Sequence, residues 1–99
     1  MRLSVTEIGC TFGRQTRAYA EYRIFSSMAR FSHVVHEARV SLTSGRAGGV
    51  ARCVISLTLE DGVCLRVSAR GRHVYDAINR AAARISEALR RRSDITLSS

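Results

Sequence analysis

The sequence predicts a single α+β domain in the order β-α-β-β-β-α: a four-stranded mixed sheet with two helices on one face. Two segments repeat apolar residues at helical spacing. Four others alternate apolar and polar residues. The polar side of that alternation is too hydrophilic to be buried against another sheet, so both helices must cover the apolar side. The chain's 99 residues hold one core and leave no room for a second.

The elements follow in order. Arg2 to Ile8 alternates weakly and reads as an edge strand. Gly9 to Gly13 is a turn. Arg14 to Phe31 reads as a helix with Ala20, Ile24, Met28 and Phe31 on its apolar face, and Arg17 and Glu21 spaced as an i,i+4 ion pair. Gly13 is a poor N-cap, since it has no side-chain acceptor. Glu37 to Thr43 is a strand that turns Ala38, Val40 and Leu42 inward. Adjacent to the first strand and linked to it by a helix, it should run parallel to it. Ser44 to Gly49, SGRAGG, is a flexible loop. It lacks the Lys-Ser/Thr ending and the following helix of a phosphate-binding loop.

Val50 to Leu59 and Val63 to Arg70 form a hairpin whose register can be argued from parity. A two-residue turn would pair Leu59 with Cys64 and set opposite faces together. A three-residue turn, Glu60 to Gly62, pairs Leu59 with Val63 and keeps both apolar sets on one side, with Gly62 at positive φ. Cys53 then points inward and Cys64 outward, so these two form no disulfide. The outward face carries Arg39, Arg52, Arg66 and Arg70 among Ser and Thr, and should meet water or an anion. The last helix, Val74 to Arg92, buries Val74, Ile78, Ala82, Ile85 and Leu89. Residues 93–99 read as a flexible tail after a domain of residues 1–92.

The charge is the outlier. All 16 basic residues are arginine, against 8 acids, for a net charge of +8 and a pI near 11.0. Such a balance points to a polyanion, most often nucleic acid. The exclusive use of arginine fits either a codon-biased genome or selection for bidentate phosphate contacts. His73, Arg80, Arg84 and Arg91 fall in one narrow stripe of the last helix at about 100° per residue. Arg90 and Arg92 extend the positive field at the helix end, where the helix dipole favours cations. On the first helix Arg14 and Arg17 flank one side of the apolar face, Arg23 and Arg30 the other. One flank could continue the stripe, and the sequence does not decide which. The candidate polyanion-binding residues are therefore Arg80, Arg84, Arg91, Arg90, Arg17, Arg14, Arg23, Arg30 and His73. Tyr75 either stacks on a base or packs near the helix start.

Other chemistry is poorly represented. There is no Ser/His/Asp set and no pair of acid-base carboxylates, so no enzyme is expected. His33 and His36 are spaced for a metal but lack further ligands around them, and no metal or cofactor is expected. The three cysteines form no CxxC and suit a reducing compartment. Cys64 is the thiol expected to react. No apolar run reaches the ~20 residues that span a bilayer, and Met1 to Gly9 lacks a signal-peptide apolar block. These features lead to the expectation of a cytoplasmic protein.

The order and the residues together resemble the ribosome hibernation-promoting factor family, also called ribosome-associated inhibitors or sigma-54 modulation proteins. Tyr75, Ala77, Ile78, Arg84, Ile85, Leu89, Arg90 and Arg91 match its pattern of Tyr-x-Ala-Ile followed by basic, aliphatic and basic positions. Arg23-Ile24 through Met28-Ala29-Arg30-Phe31 looks like the end of its first helix. Val40 and Leu42 fit its second strand, and Gly48-Gly49 resembles a glycine pair of some members. His73, Asn79 and Glu87 depart from its usual charges. The resemblance implies a fold like that of double-stranded-RNA-binding domains, in the family's short form. It also implies a translation inhibitor that binds the small ribosomal subunit and its rRNA and blocks the mRNA and tRNA path in stationary phase or stress. A monomer is favoured, with no membrane and no small-molecule substrate. Two other functions fit the same residues: a general RNA-binding module, and a protein-interaction or transcription-modulating domain.

Overall fold

The computed structural model describes residues 1–9, 12–44 and 49–98, with side chains described to 92. Six main elements follow one another: β1 (Arg2–Ile8), α1 (Arg14–Met28), β2 (Val35–Thr43), β3 (Ala51–Leu59), β4 (Cys64–Gly71) and α2 (Val74–Ser98). A short 3-10 turn, Ala29–Phe31, ends the first helix. The sequence pattern carries that helix to Phe31, but the backbone tightens after Met28. Cys10, the inner part of the Ser44–Gly49 loop with Gly48, and Ser99 lie outside the described residues.

The sheet order is β1-β2-β3-β4, with β1 parallel to β2 and the other pairs antiparallel. Parity sets which side chains enter the core. Ala51, Cys53, Ile55, Leu57 and Leu59 are all buried, and Leu59 N–H donates to the Val63 carbonyl at 2.8 Å. This is the three-residue turn, and Gly62 has φ 88°. Strand β2 begins two residues earlier than its alternation suggests. A register shift between Val35 and Glu37 inserts His36 as a bulge. The extra residue returns Val35 to the inner side, where it is fully buried.

Both helices lie on the apolar side. Ile24 and Met28 of α1 and Ile78, Ile85 and Leu89 of α2 join Val40, Leu42, Ile55 and Leu57 in one cluster. Each such side chain contributes about 1.5–3 kcal/mol by leaving water. Thr16 is also buried on the α1 face. Gly13 offers α1 no side-chain cap, and its φ of 97° makes glycine the residue that suits this entry. The apolar pattern predicts that α2 ends near Arg92, yet helical backbone continues to Ser98. No Gly or Pro stands between residues 92 and 99 to stop it.

Candidate nucleic-acid interface

The stripe of α2 lies along an open sheet edge. Among the described strands β4 pairs only with β3, so one row of its backbone groups faces outward. Arg80 Nη1 donates to the Arg70 carbonyl at 3.0 Å, and Arg84 Nη1 donates to the Ser68 carbonyl. Alternate residues of an antiparallel edge strand turn their carbonyls outward, so 68 and 70 are consistent acceptors. Each guanidinium spends part of its five-donor fork on the edge and keeps the rest for an anion. The contacts also tether both side chains, which reduces the rotamer entropy lost when a phosphate binds.

At the start of α2 the basic residues close around a depression of about 460 Å³, lined by Arg70, Arg72, His73 and Arg80 with Asp76 as the acid. Gly71 makes this corner possible. A Cβ there would stand 2.7 Å from Asp76 Cβ and 2.8 Å from the Ala77 nitrogen. Without it, the first turn of α2 packs directly on the strand and brings His73 beside Arg70 and Arg72. The positive end of the helix dipole adds to their field. Arg72 was not among the sequence candidates, and Arg70 was placed only on the open sheet. The run Arg70-Gly-Arg72-His73 immediately before a helix was the signal that could have found them.

Further along, Arg90 and Arg91 converge on one acid. Arg90 Nη2 lies 2.7 Å and Arg91 Nε 3.1 Å from Glu87 Oε1. Hydrogen bonds from Arg90 and then Arg91 hold the Glu87 carboxyl below the usual carboxylate range. Arg92 bonds Asp61 across the hairpin turn. Asp61 is also held low, first by the Val63 N–H and then by the Arg92 charge.

The arginines of α1 do not extend the stripe. Arg17 lies 3.6 Å from Glu7 of β1 and does not pair with Glu21. Glu7 is almost wholly buried and draws the longer side chain across the edge strand. Arg14, on the same flank, therefore stands at the β1 side, three strands from Arg80 and Arg84. The other flank meets α2. The Tyr19 hydroxyl donates to Asn79 Oδ1 at 2.6 Å, and the Tyr19 and Tyr75 rings meet at 4.8 Å and 63°. Thr16 Oγ1 and the Tyr75 hydroxyl are 3.4 Å apart. Tyr75 thus serves the seam between the helices. Arg23 sits on this flank, bonded to Ser27 at 2.7 Å, and Arg30 follows in the 3-10 turn. The seam occupies one side of α2 and the stripe the opposite side. The nine candidates therefore form three groups: a β4-edge group, a helix-end group around Glu87, and the α1 arginines.

Two exposed aromatics also escaped sequence reasoning. Tyr22 and Phe25, 71% and 49% exposed, stand on the outer face of α1. Their i,i+3 spacing away from the apolar stripe was the available signal. Burial pushes the Cys53 thiol up to about 12, whereas Cys64 is exposed. His36 Nδ1 lies 3.8 Å from Glu60 Oε1. Among the described residues no three His, Cys, Asp or Glu side chains gather as a metal site. No described helix is long and apolar enough to cross a membrane.

The family described as sigma 54 modulation protein / S30EA ribosomal protein matches residues 3–95. The crystal structure of the Thermus thermophilus Protein Y N-terminal domain is 25% identical, covering 92% of this chain and 98% of that one, with a TM-score of 0.76. A ribosomal subunit interface protein from Coxiella burnetii shares the fold at 11% identity, covering 95% and 99%, with a TM-score of 0.83. Among curated proteins none matches.

Proposed function

The chain belongs to the sigma 54 modulation protein / S30EA ribosomal protein family, and on that premise we propose that it is a ribosome-associated hibernation factor. It binds the small subunit through rRNA and inhibits translation by occupying the mRNA and tRNA path. The observation that carries this reading is the set of arginines gathered on the β4 edge, Arg80 and Arg84 held there by backbone carbonyls and joined by Arg70, Arg72 and His73. Such a set neutralises phosphates without catalysis. Arg90 and Arg91 lengthen the contact once Glu87 releases them to phosphate. Arg14 on the β1 flank of α1, and Arg23 with Arg30 on its other flank, supply two further, separate contacts.

Sedimentation with ribosomal subunits at low and moderate salt tests the reading. The protein should pellet with the small subunit, less so as salt rises, and Arg84→Glu with Arg91→Glu should abolish pelleting. Normal pelleting of that double variant would remove α2 from the interface. Equal affinity for free duplex RNA and for the subunit would favour a general RNA-binding module.

A further inference from the structure

We propose that the uncovered face of the sheet is a second RNA surface, one that takes the backbone of an RNA duplex without reading its bases. The inference is argued from that face; its bridging test also uses RNA binding by the α2 stripe, and neither depends on the ribosomal reading.

Strand register places the charges. Arg52 and Arg70 are direct cross-strand partners. Four residues away along the strands, Arg39 and Arg66 flank Ser56 in a single row. The two rows stand about 13 Å apart at ~3.3 Å per residue. Between them runs the row Ser41, Val54 and Ser68. Like charges placed directly opposite each other on a sheet oppose folding. Neither Arg52 nor Arg70 has a side-chain partner among the described residues. Glu37 is the only acid on this face of the described strands, and it is bonded to Arg39 at 2.8 Å. Folding alone gives no reason to hold so much unneutralised charge on one surface; a polyanion lying across it does.

The chemistry of the face selects the kind of polyanion. Single-stranded RNA is held by aromatic rings that stack on splayed bases. No Phe, Tyr or Trp stands on the described strands, and the imidazole of His36 lies at the β2 bulge, outside the two arginine rows. Duplex RNA presents phosphates and 2′-hydroxyls across a wide, shallow minor groove, read by shape. Two arginine rows, with the hydroxyls of Ser41 and Ser68 on either side of Val54 between them, match that order of phosphate, 2′-hydroxyl and phosphate. The helices cover the opposite side of the sheet, so the α2 stripe and this face can hold two RNA segments at once, meeting at the β4 edge.

The test uses the full chain with labelled 20-base-pair RNA duplexes, the same duplex as DNA, and phosphatidylserine vesicles. Wild-type protein should bring donor-labelled and acceptor-labelled RNA duplexes into energy transfer. Arg52→Gln with Arg66→Gln should abolish that transfer while one duplex still binds through α2. It should also reduce the slope of log K against log salt by about 2. Arg52→Lys with Arg66→Lys should restore most of the slope, which separates lost charge from lost folding. An unchanged slope in the Gln variant would overturn the proposal, as would equal binding of the DNA duplex or stronger binding to vesicles. Loss of ribosome pelleting with duplex bridging intact would remove the ribosomal reading and leave this one standing.

Discussion

Gly71 decides how closely α2 approaches the sheet. A methyl group there would meet the helix backbone, which cannot move aside as a flexible side-chain end could. Gly71→Ala should therefore cost about 1–3 kcal/mol of stability. At about 4–8 °C per kcal/mol for a domain of this size, thermal melting reads the loss directly. It should also weaken RNA binding beyond what unfolding explains, because His73 and Arg80 would move away from Arg70. Arg17 makes the opposite case. Its partner Glu7 is 7% exposed, and Glu7 Oε1 accepts no hydrogen bond. Removing Arg17 leaves a carboxylate with less compensation for its burial. Arg17→Ala should lower stability by about 1 kcal/mol and leave RNA affinity nearly unchanged. An affinity loss as large as that of Arg84→Ala would return Arg17 to the interface. The sequence could not distinguish these roles, because an arginine that neutralises a buried acid and one that waits for phosphate look alike until the acid is placed.

At the scale of elements, most of the fold was legible because alternation and helical spacing record which side each residue buries. The hairpin shows how far this goes: parity alone fixed its turn length and the opposite directions of Cys53 and Cys64. The bulge at His36 was not legible, since one inserted residue breaks the period on which the reading depends. The end of α2 was missed for a related reason: apolar spacing reports where a helix touches the core, and this helix runs past it. The candidate site was less legible than the fold. Helical spacing found the α2 stripe, but the β4 edge that receives it is formed by a tertiary contact. Within α2, Glu87 restrains Arg90 and Arg91. Glu87→Gln should free both and tighten RNA binding about two- to fivefold, the scale of exposed ion pairs. The pairing depresses the Glu87 pKa, so the restraint is complete at neutral pH and is lost as pH falls through that lowered value. The Gln variant should therefore match wild-type affinity in strong acid and exceed it at pH 7. Equal affinity at both would show that Glu87 does not compete with phosphate.

For the whole molecule, the question is how a charge of +8 is distributed. Packed on one side, it would make a single docking surface. The structure divides it instead among the β4 edge, the open sheet face and the outer helix, with the apolar cluster between sheet and helices. Each phosphate neutralised releases condensed counterions, so the salt dependence of binding counts the charges engaged. Docking through the β4 edge and the helix end engages about five arginines and predicts a slope of log K against log salt of about −3 to −5. Engagement of the sheet rows as well would add about three more, Arg39, Arg52 and Arg66, and steepen the slope beyond about −5. Titrating the protein onto purified small subunits across a salt series measures this number. A slope in the shallower range places one face on the ribosome and leaves the other free. The steeper range means that the domain is gripped from both sides, as a plug set between two RNA walls would be. A slope near zero would mean that apolar contacts such as Tyr22 and Phe25 carry the binding, and the arginine reading would fail at every scale.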